Sequence, residues 1–350
     1  MGKKILLISE ALSAPFDEGV KNVVLSLHRH LEKKTGVFTV TNAENNTEDL
    51  KVVKIRLNKL FLNKKLWKFI NSHSPDFILY FSASSCSFYS FVRAKVLKGM
   101  CKNAKVVLFG VQPRNYSPIQ YNLIVRFFRP DLLLLLGKYN REFFIKKGLN
   151  VKVLPPAVDT FKFRQAIVEE KERIRGEYNI PNSKTVVLHV GHIRRTRNIE
   201  CFLDIQKINN IQGIIVGSTT TEQDDDLKDM LIREGVIIID RFIPDISSIY
   251  KMSDIYVFPV LQNNAAIEMP LSVFEAMSCN LPVLTTRFGG LADYFKEDVC
   301  YRYFNTTEEL VDLINLSKNV DKSKINNDKK MGCFTWERFA DETLSACEEL

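Results

Sequence analysis

The chain has 350 residues, 45% hydrophobic and 26% charged, which is long for one globular core and comfortable for two. No run of 18 apolar residues occurs, so no membrane-spanning helix is expected. The net charge of +8 is unevenly divided: residues 1–158 hold 26 Lys+Arg and 10 Asp+Glu (+16), and residues 159–350 hold 23 and 31 (−8). A chain boundary near 158 and an anionic partner for the first half follow from that asymmetry.

The N-terminal apolar run is only Ile5 to Ile8, too short for the core of a signal peptide, and reads as a first β-strand. Further strands are expected at Val37–Thr41, Lys51–Arg56, Asp76–Ser82, Ala104–Val111 and Asp131–Gly137, with helices at Lys21–Lys33 and Arg141–Lys147 among them. Leu154-Pro-Pro-Ala-Val-Asp159 reads as a linker, because two prolines stop regular structure. The second half repeats the pattern, with strands at Thr185–Gly191, Ile211–Gly217, Val236–Asp240, Ile255–Pro259 and Pro282–Thr286. A helix is expected at Ser272–Ser278, and a last amphipathic helix at Trp336–Glu349. Strands alternating with helices imply parallel sheets covered on both faces, an α/β fold. The seven cysteines form no C-x-x-C pair, which points to reduced thiols, a cytoplasmic location and no zinc site. The five histidines make no metal constellation, and Asp224-Asp-Asp226 reads as solvated surface, so neither a metal nor another cofactor is expected. No Gly-x-x-x-x-Gly-Lys loop or Gly-x-Gly-x-x-Gly fingerprint is present, which counts against an ATPase or a dehydrogenase.

Ligands of open α/β sheets bind beyond the carboxyl ends of the strands. The Thr185–Gly191 strand ends in Gly191-His-Ile-Arg-Arg-Thr-Arg-Asn198. Gly191 permits close approach of a ligand, and Arg194, Arg195 and Arg197 then enter the next helix. The segment reads equally as a phosphate site and as a solvated basic loop, since cations at a helix start oppose its dipole. Farther on, Pro270 sits at a helix start, where the N–H groups of Leu271 and Ser272 would point at an anion. Glu275, one turn inside, is either an acceptor for ribose hydroxyls or a charge favoured by the helix dipole.

The run Pro270-Leu-Ser-Val-Phe-Glu-Ala-Met-Ser-Cys-Asn-Leu-Pro-Val-Leu-Thr-Thr286 resembles the signature of glycosyltransferase family four, whose members have the GT-B fold. Asp254-Ile-Tyr-Val-Phe-Pro259 resembles the strand before that signature, and Gly191 to Asn198 the family's phosphate-binding turn. Pro156-Ala-Val-Asp159 resembles its interdomain element, and Phe334-Thr-Trp-Glu337 the start of its C-terminal helix. The first half matches loosely, through its sheet pattern and the Asp17-Glu-Gly19 turn. The resemblance implies two Rossmann-like domains facing across a cleft: 1–158 for the acceptor, 159–332 for the nucleotide sugar, and a helix in 333–350 crossing back to the first domain. It implies hexosyl transfer from a nucleoside diphosphate sugar to an acceptor hydroxyl, with retention and without a metal. Glu275 resembles the second glutamate of an E-x7-E pair that holds the ribose, and Arg197 stands where the family carries a phosphate-binding lysine. Leu271 and Ser272 would give N–H groups to the diphosphate, with Gly191, Arg194 and Arg195 beside them and Gly19 under the donor phosphates.

Three positions depart from the pattern. Ile267 occupies the place of the first glutamate, with Glu268 one residue late; His192 replaces the arginine after the glycine; and Gln112 stands where many members carry a histidine. Glu268 and Arg197 are accordingly the expected catalytic pair. A nucleotide-sugar epimerase of the same fold and a nucleotide-sugar-binding protein with a degenerate site are the alternatives. The expected partners are a nucleotide-sugar donor, a glycan or lipid-linked acceptor, and an anionic membrane surface met on its cytoplasmic side by the basic first half. Leu57 to Ile70 is basic and amphipathic, and reads either as an ordinary sheet-packing helix or as a membrane-facing one carrying Lys64, Trp67 and Lys68. No nucleic-acid-binding module is visible.

Overall fold

The computed structural model describes residues 3–10, 12, 15–16, 18–42, 51–82, 86–101, 103–112, 114–138, 140–218, 223–262, 264–321 and 324–350. Asp17 of the expected Asp17-Glu-Gly19 turn, Pro113 and Asn263 lie outside the described residues. The chain forms two compact units. The first comprises Met1–Pro156, Ile267–Met269 and Trp336–Leu350; the second comprises Ala157–Ala266 and Pro270–Thr335.

In the first unit, β1 (Lys4–Ser9), β2 (Gly36–Thr41), β3 (Val52–Lys54), β4 (Phe77–Phe81), β5 (Lys105–Gly110), β6 (Leu132–Leu135) and β7 (Val151–Val153) form one sheet in the order β3-β2-β1-β4-β5-β6-β7. Every pairing in it is parallel. A parallel sheet is covered on both faces, which is why Leu132 to Leu135 are all apolar and all buried. On one face the Lys64–His73, Phe88–Met100, Pro118–Phe127 and Arg141–Ile145 helices bury Leu66, Ile70, Phe91, Tyr121, Ile124 and Phe144 in one core cluster with strand residues. The C-terminal Trp336–Glu348 helix packs against the Gly19–Glu32 helix, and Lys34 pairs with Asp341 at 2.9 Å.

The second unit holds β8 (Thr185–Val190), β9 (Ile211–Val216), β10 (Ile237–Ile239), β11 (Ile255–Phe258), β12 (Val283–Thr285) and β13 (Tyr301–Tyr303), in the order β10-β9-β8-β11-β12-β13. All its pairings are parallel too. Strand order reverses between β8 and β11, which makes their carboxyl ends the topological switch point of this sheet. Asp254, just before β11, locks the other ends: it accepts from Lys171 Nζ at 2.6 Å, from Val186 N at 2.8 Å and from the Arg175 guanidinium.

Two strands were not expected, β7 and β13. Each has three residues at a sheet edge and lacks the run of consecutive β-branched residues that marks the equally short β3 and β10. The Leu57–Ile70 stretch divides into a loop and the Lys64–His73 helix, where the Asn63 side chain caps the N–H groups of Lys65 and Leu66. Phe61 and Leu66 are core, whereas Trp67 is half-exposed.

Candidate functional site

The switch point of the second unit holds most of the expected residues. β8 delivers His189 and then Gly191. His189 is buried, and its Nδ1 lies 2.9 Å from the Val257 carbonyl, so Nδ1 carries the proton and Nε2 is left as an acceptor. Burial pushes this imidazole down to about 3, with the Arg197 charge adding to the effect, so it is neutral at physiological pH. A Cβ placed on Gly191 would lie 2.5 Å from Arg197 Nη1 and 2.8 Å from His189 Nε2. Only glycine leaves those two nitrogens room.

The three arginines do not enter an α-helix. Arg195–Arg197 is a single 3-10 turn, and the next α-helix begins at Cys201. The turn closes on Asn198 in the left-handed region (φ 57°), and the Asp224 carboxylate accepts from Arg195 N at 2.8 Å. This arrangement avoids setting cations against a helix dipole. The three side chains part company. Arg195 is exposed and held by Glu200 and, at 2.7 Å, by Asp226, whose side chain is exposed as expected and forms a surface ion pair. Arg197 is buried; its Nε and Nη2 both donate to the Ala265 carbonyl, at 2.9 and 2.6 Å. It has no ion pair with a described carboxylate, and burial brings its guanidinium down to about 10, nearby Tyr256 opposing and Arg194 adding. Arg194 is thus close enough to be felt by Arg197, while Arg195 faces elsewhere.

The second half of the site is the Leu271–Ser278 helix. Pro270 precedes its first turn in an extended conformation (φ −66°, ψ 120°) and no side chain caps it. The first N–H groups, those of Leu271 and Ser272, have no acceptor inside the helix, and the positive end of its dipole lies there. Glu275 is partly buried one turn on, and accepts from the Tyr250 hydroxyl at 2.7 Å. Burial raises its carboxyl above the ordinary value of 4.5, partly offset by the Tyr250 hydrogen bond and by Lys162. Tyr256 of β11 joins the two halves. Its ring lies 6.4 Å from that of His189 and 5.8 Å from that of Tyr250, and its hydroxyl lies with Ser272 and the Val190 backbone. His189, Tyr250, Tyr256 and Ala265 were not singled out from the sequence. The alternation of polar residues at 189 and 256 inside otherwise apolar strands is the signal that marks two of them.

Gly19 and Glu268 belong to the first unit, which corrects the expectation that all of 159–332 forms one domain. Glu268 N donates to the Val111 carbonyl at 3.2 Å, after β5, and Ile267 Cδ1 lies 2.9 Å from the place of a Cβ on Gly19. The Glu268 side chain is only 4% exposed and its carboxyl lies against Gly137, just beyond β6. The one-residue displacement of the glutamate thus puts Ile267 over Gly19 and Glu268 over Gly137. Among the described residues, no group of His, Cys, Asp and Glu is arranged to hold a metal ion, and no helix is long and apolar enough to cross a membrane.

Comparison with known proteins finds glycosyltransferases. The family profile described as glycosyl transferases group 1 matches residues 170–328. A D-inositol 3-phosphate glycosyltransferase of Arthrobacter sp. (strain FB24) is 25% identical over 170 residues, 45% of this chain and 38% of that protein. A UDP-Gal:alpha-D-GlcNAc-diphosphoundecaprenol alpha-1,3-galactosyltransferase of Escherichia coli is 29% identical over 174 residues, 45% of this chain and 43% of its own. The matched region therefore spans about two-fifths of each curated relative. Among solved structures, a glycosyltransferase from Rickettsia africae ESF-5 superposes with a TM-score of 0.81 at 14% identity, over 99% of this chain and 98% of that one. Anabaena Alr3699/HepE in complex with UDP-glucose gives 0.79 at 15% identity, over 99% and 100%. Identities this low establish the fold, which is GT-B.

Proposed function

We propose that this chain, whose residues 170–328 match the group 1 glycosyl transferase profile, moves a hexosyl group from a nucleoside diphosphate sugar to a hydroxyl of a glycan or lipid-linked acceptor. The observation that carries the proposal is the presence, in one unit, of a buried cation with no ion pair to a described carboxylate, Arg197, and of the uncapped start of the Leu271–Ser278 helix. Both present positive charge, and both are suited to a diphosphate.

In this reading Arg197, Arg194 and the N–H groups of Leu271 and Ser272 take the diphosphate, Gly191 lets it approach, and Glu275 accepts the ribose hydroxyls. Negative charge grows on the departing diphosphate in the transition state, and preorganised donors there lower the barrier. These groups would supply the stabilisation that a divalent metal supplies in other transferases, and retention at the anomeric carbon belongs to the same proposal. Arg195, engaged by Glu200 and Asp226, is given the lesser part of steadying the 3-10 turn. Glu268 and Gly19, which the resemblance implies at the transferred sugar and the donor phosphates, lie in the first unit.

The HepE complex with UDP-glucose supports a UDP-sugar donor, and the E. coli relative's diphosphoundecaprenol acceptor supports a lipid-linked one. The +16 balance of residues 1–158 suits an anionic acceptor at the cytoplasmic face of a membrane.

Incubating the protein with UDP-, GDP- and ADP-hexoses and a panel of glycan and polyprenyl-linked acceptors, with mass spectrometry of the products, tests the proposal. Transfer that disappears in Arg197→Ala is the expected result. The burial of Glu268 favours one second reading, a protein that binds the nucleotide sugar without turning it over. Tight nucleotide binding with no product from any acceptor would select it. An isomerised donor without acceptor would select an epimerase instead.

A further inference from the structure

The Pro118–Phe127 helix of the first unit is apolar on two opposite sides. Its start is well formed: Pro118 occupies the first turn, and Ser117 and Gln120 make a reciprocal capping box. Successive residues turn by about 100°, which sets Tyr121, Ile124, Val125 and Phe128 on the side that packs into the core. The same turn sets Ile119, Leu123 and Phe127 together on the opposite side, where they are 74%, 37% and 51% exposed. A helix apolar all round is normally buried all round. The neighbouring Arg141–Ile145 helix also carries exposed apolar side chains, Phe143 and Ile145. The two helices are joined by the Tyr121 and Phe143 rings, 4.4 Å apart, and by the Tyr121 hydroxyl donating to the Phe143 carbonyl at 3.1 Å.

Charge identifies what covers this face. Residues 114–129 contain Arg114, Arg126 and Arg129 and no acidic residue. Residues 138–147 add Lys138, Arg141, Lys146 and Lys147 against one acid, Glu142, which pairs with Arg141 at 3.1 Å. Arg126 lies 5.3 Å from the Phe127 ring centre, so cation and apolar side chain stand together. A second copy of the same face would set these cations against each other. A bilayer with anionic headgroups satisfies both features, taking the apolar stripe at the acyl boundary and the cations among the phosphates.

We propose that the protein docks on anionic lipid bilayers through the outward Ile119–Leu123–Phe127 face of this helix. The inference deepens the reading of a lipid-linked acceptor by naming the surface that meets the membrane. It also moves that surface away from the Lys64–His73 helix, on which Trp67 is the one large exposed hydrophobic side chain.

Flotation with phosphatidylcholine vesicles, with and without phosphatidylglycerol, tests it. The wild type should float with the anionic vesicles, and progressively less as salt is raised. The Ile119→Ser/Leu123→Ser/Phe127→Ser variant should lose about tenfold or more in vesicle affinity, since three apolar anchors leave the interface. Arg126→Glu alone should weaken binding to anionic vesicles, while Lys64→Gln/Lys65→Gln/Lys68→Gln should keep most of it. All variants should bind nucleoside diphosphate like the wild type, which separates loss of docking from failure of the transferase reading. The proposal is overturned if the wild type ignores anionic vesicles or if the serine variant floats as well as the wild type. It is equally overturned if light scattering shows a dimer that the serine variant splits, because a second copy then covers the face.

Discussion

Gly191→Ala is the most local test of the site. The added methyl carbon would stand 2.5 Å from Arg197 Nη1 and 2.8 Å from His189 Nε2, with His189 Cε1 at 3.4 Å. An ordinary contact needs about 3.4 Å, so the guanidinium would have to retreat by roughly 0.9 Å. It has little freedom to do so, being buried and pinned through Nε and Nη2 to the Ala265 carbonyl. His189 is equally confined, by its hydrogen bond to Val257. Overpacking of this kind costs about 1–3 kcal/mol of stability. Misplacing one charge-assisted donor to a phosphate costs a further 1.5–3 kcal/mol of binding, or roughly 10- to 150-fold in Kd. Isothermal titration with UDP, GDP and ADP, and with the matching nucleosides, reads the effect. The variant should lose diphosphate affinity by that factor, lose nucleoside affinity far less, and melt several degrees lower. An unchanged diphosphate Kd, or equal losses for diphosphate and nucleoside, would refute the placement of Arg197 at the phosphate.

Arg197→Ala should show the same selectivity without the overpacking, again weakening the diphosphate more than the nucleoside in the same titrations; Arg195→Ala, already engaged by acids, should change little. Glu275→Gln should weaken nucleoside binding by about 1.5–3 kcal/mol, and titration with the nucleoside alone checks it. The same variant carries a pH signature. Burial raises the folded-state carboxyl above the 4.5 of the unfolded chain, so the folded state binds the proton more tightly and the wild type loses stability as pH rises through that window. The melting temperature of Glu275→Gln relative to wild type should therefore climb from acid to neutral pH; a flat difference would remove the burial argument. Asp254→Ala should destabilise the second unit by about 3 kcal/mol in urea unfolding, because it leaves the buried Arg175 without its carboxylate. A loss under about 1 kcal/mol would show that the Met252, Asn182 and Lys184 carbonyls suffice for Arg175.

Much of the fold is written in short-range pattern. The apolar runs of β1, β5, β6, β8 and β11 are legible because a strand buried on both faces must be apolar nearly throughout, and the helices between them follow from periodicity. Pro270 and the residues after it announce a helix start whatever surrounds them. The edge strands β7 and β13 were silent, since Val-Lys-Val and Tyr-Arg-Tyr lack the consecutive β-branched residues that mark the equally short β3 and β10. The site residues divide in the same way. Gly191, Leu271 and Ser272 lie where strand and helix ends must be, so position along the chain singled them out as candidates, whereas Glu275 was assigned to the ribose only through the family resemblance.

What a cationic side chain does depends on which partners reach it, and that is decided in three dimensions. Arg195 and Arg197 are two residues apart and equivalent on paper. One meets Glu200 and Asp226 at the surface, while the other is buried against the Ala265 carbonyl, with Gly191 leaving room for its Nη1 and for His189 Nε2. The role of His189 and Tyr256 in joining the Gly191 turn to the Leu271–Ser278 helix arises from β8 and β11 lying side by side, although 68 residues separate His189 from Val257. Glu268 joins the first unit through a backbone bond to Val111, a partner that no local pattern could name. The outward apolar stripe of the Pro118–Phe127 helix is of the same kind. Its composition looks like any core helix, and only the packing of Tyr121 and Ile124 inward shows that Ile119, Leu123 and Phe127 face out.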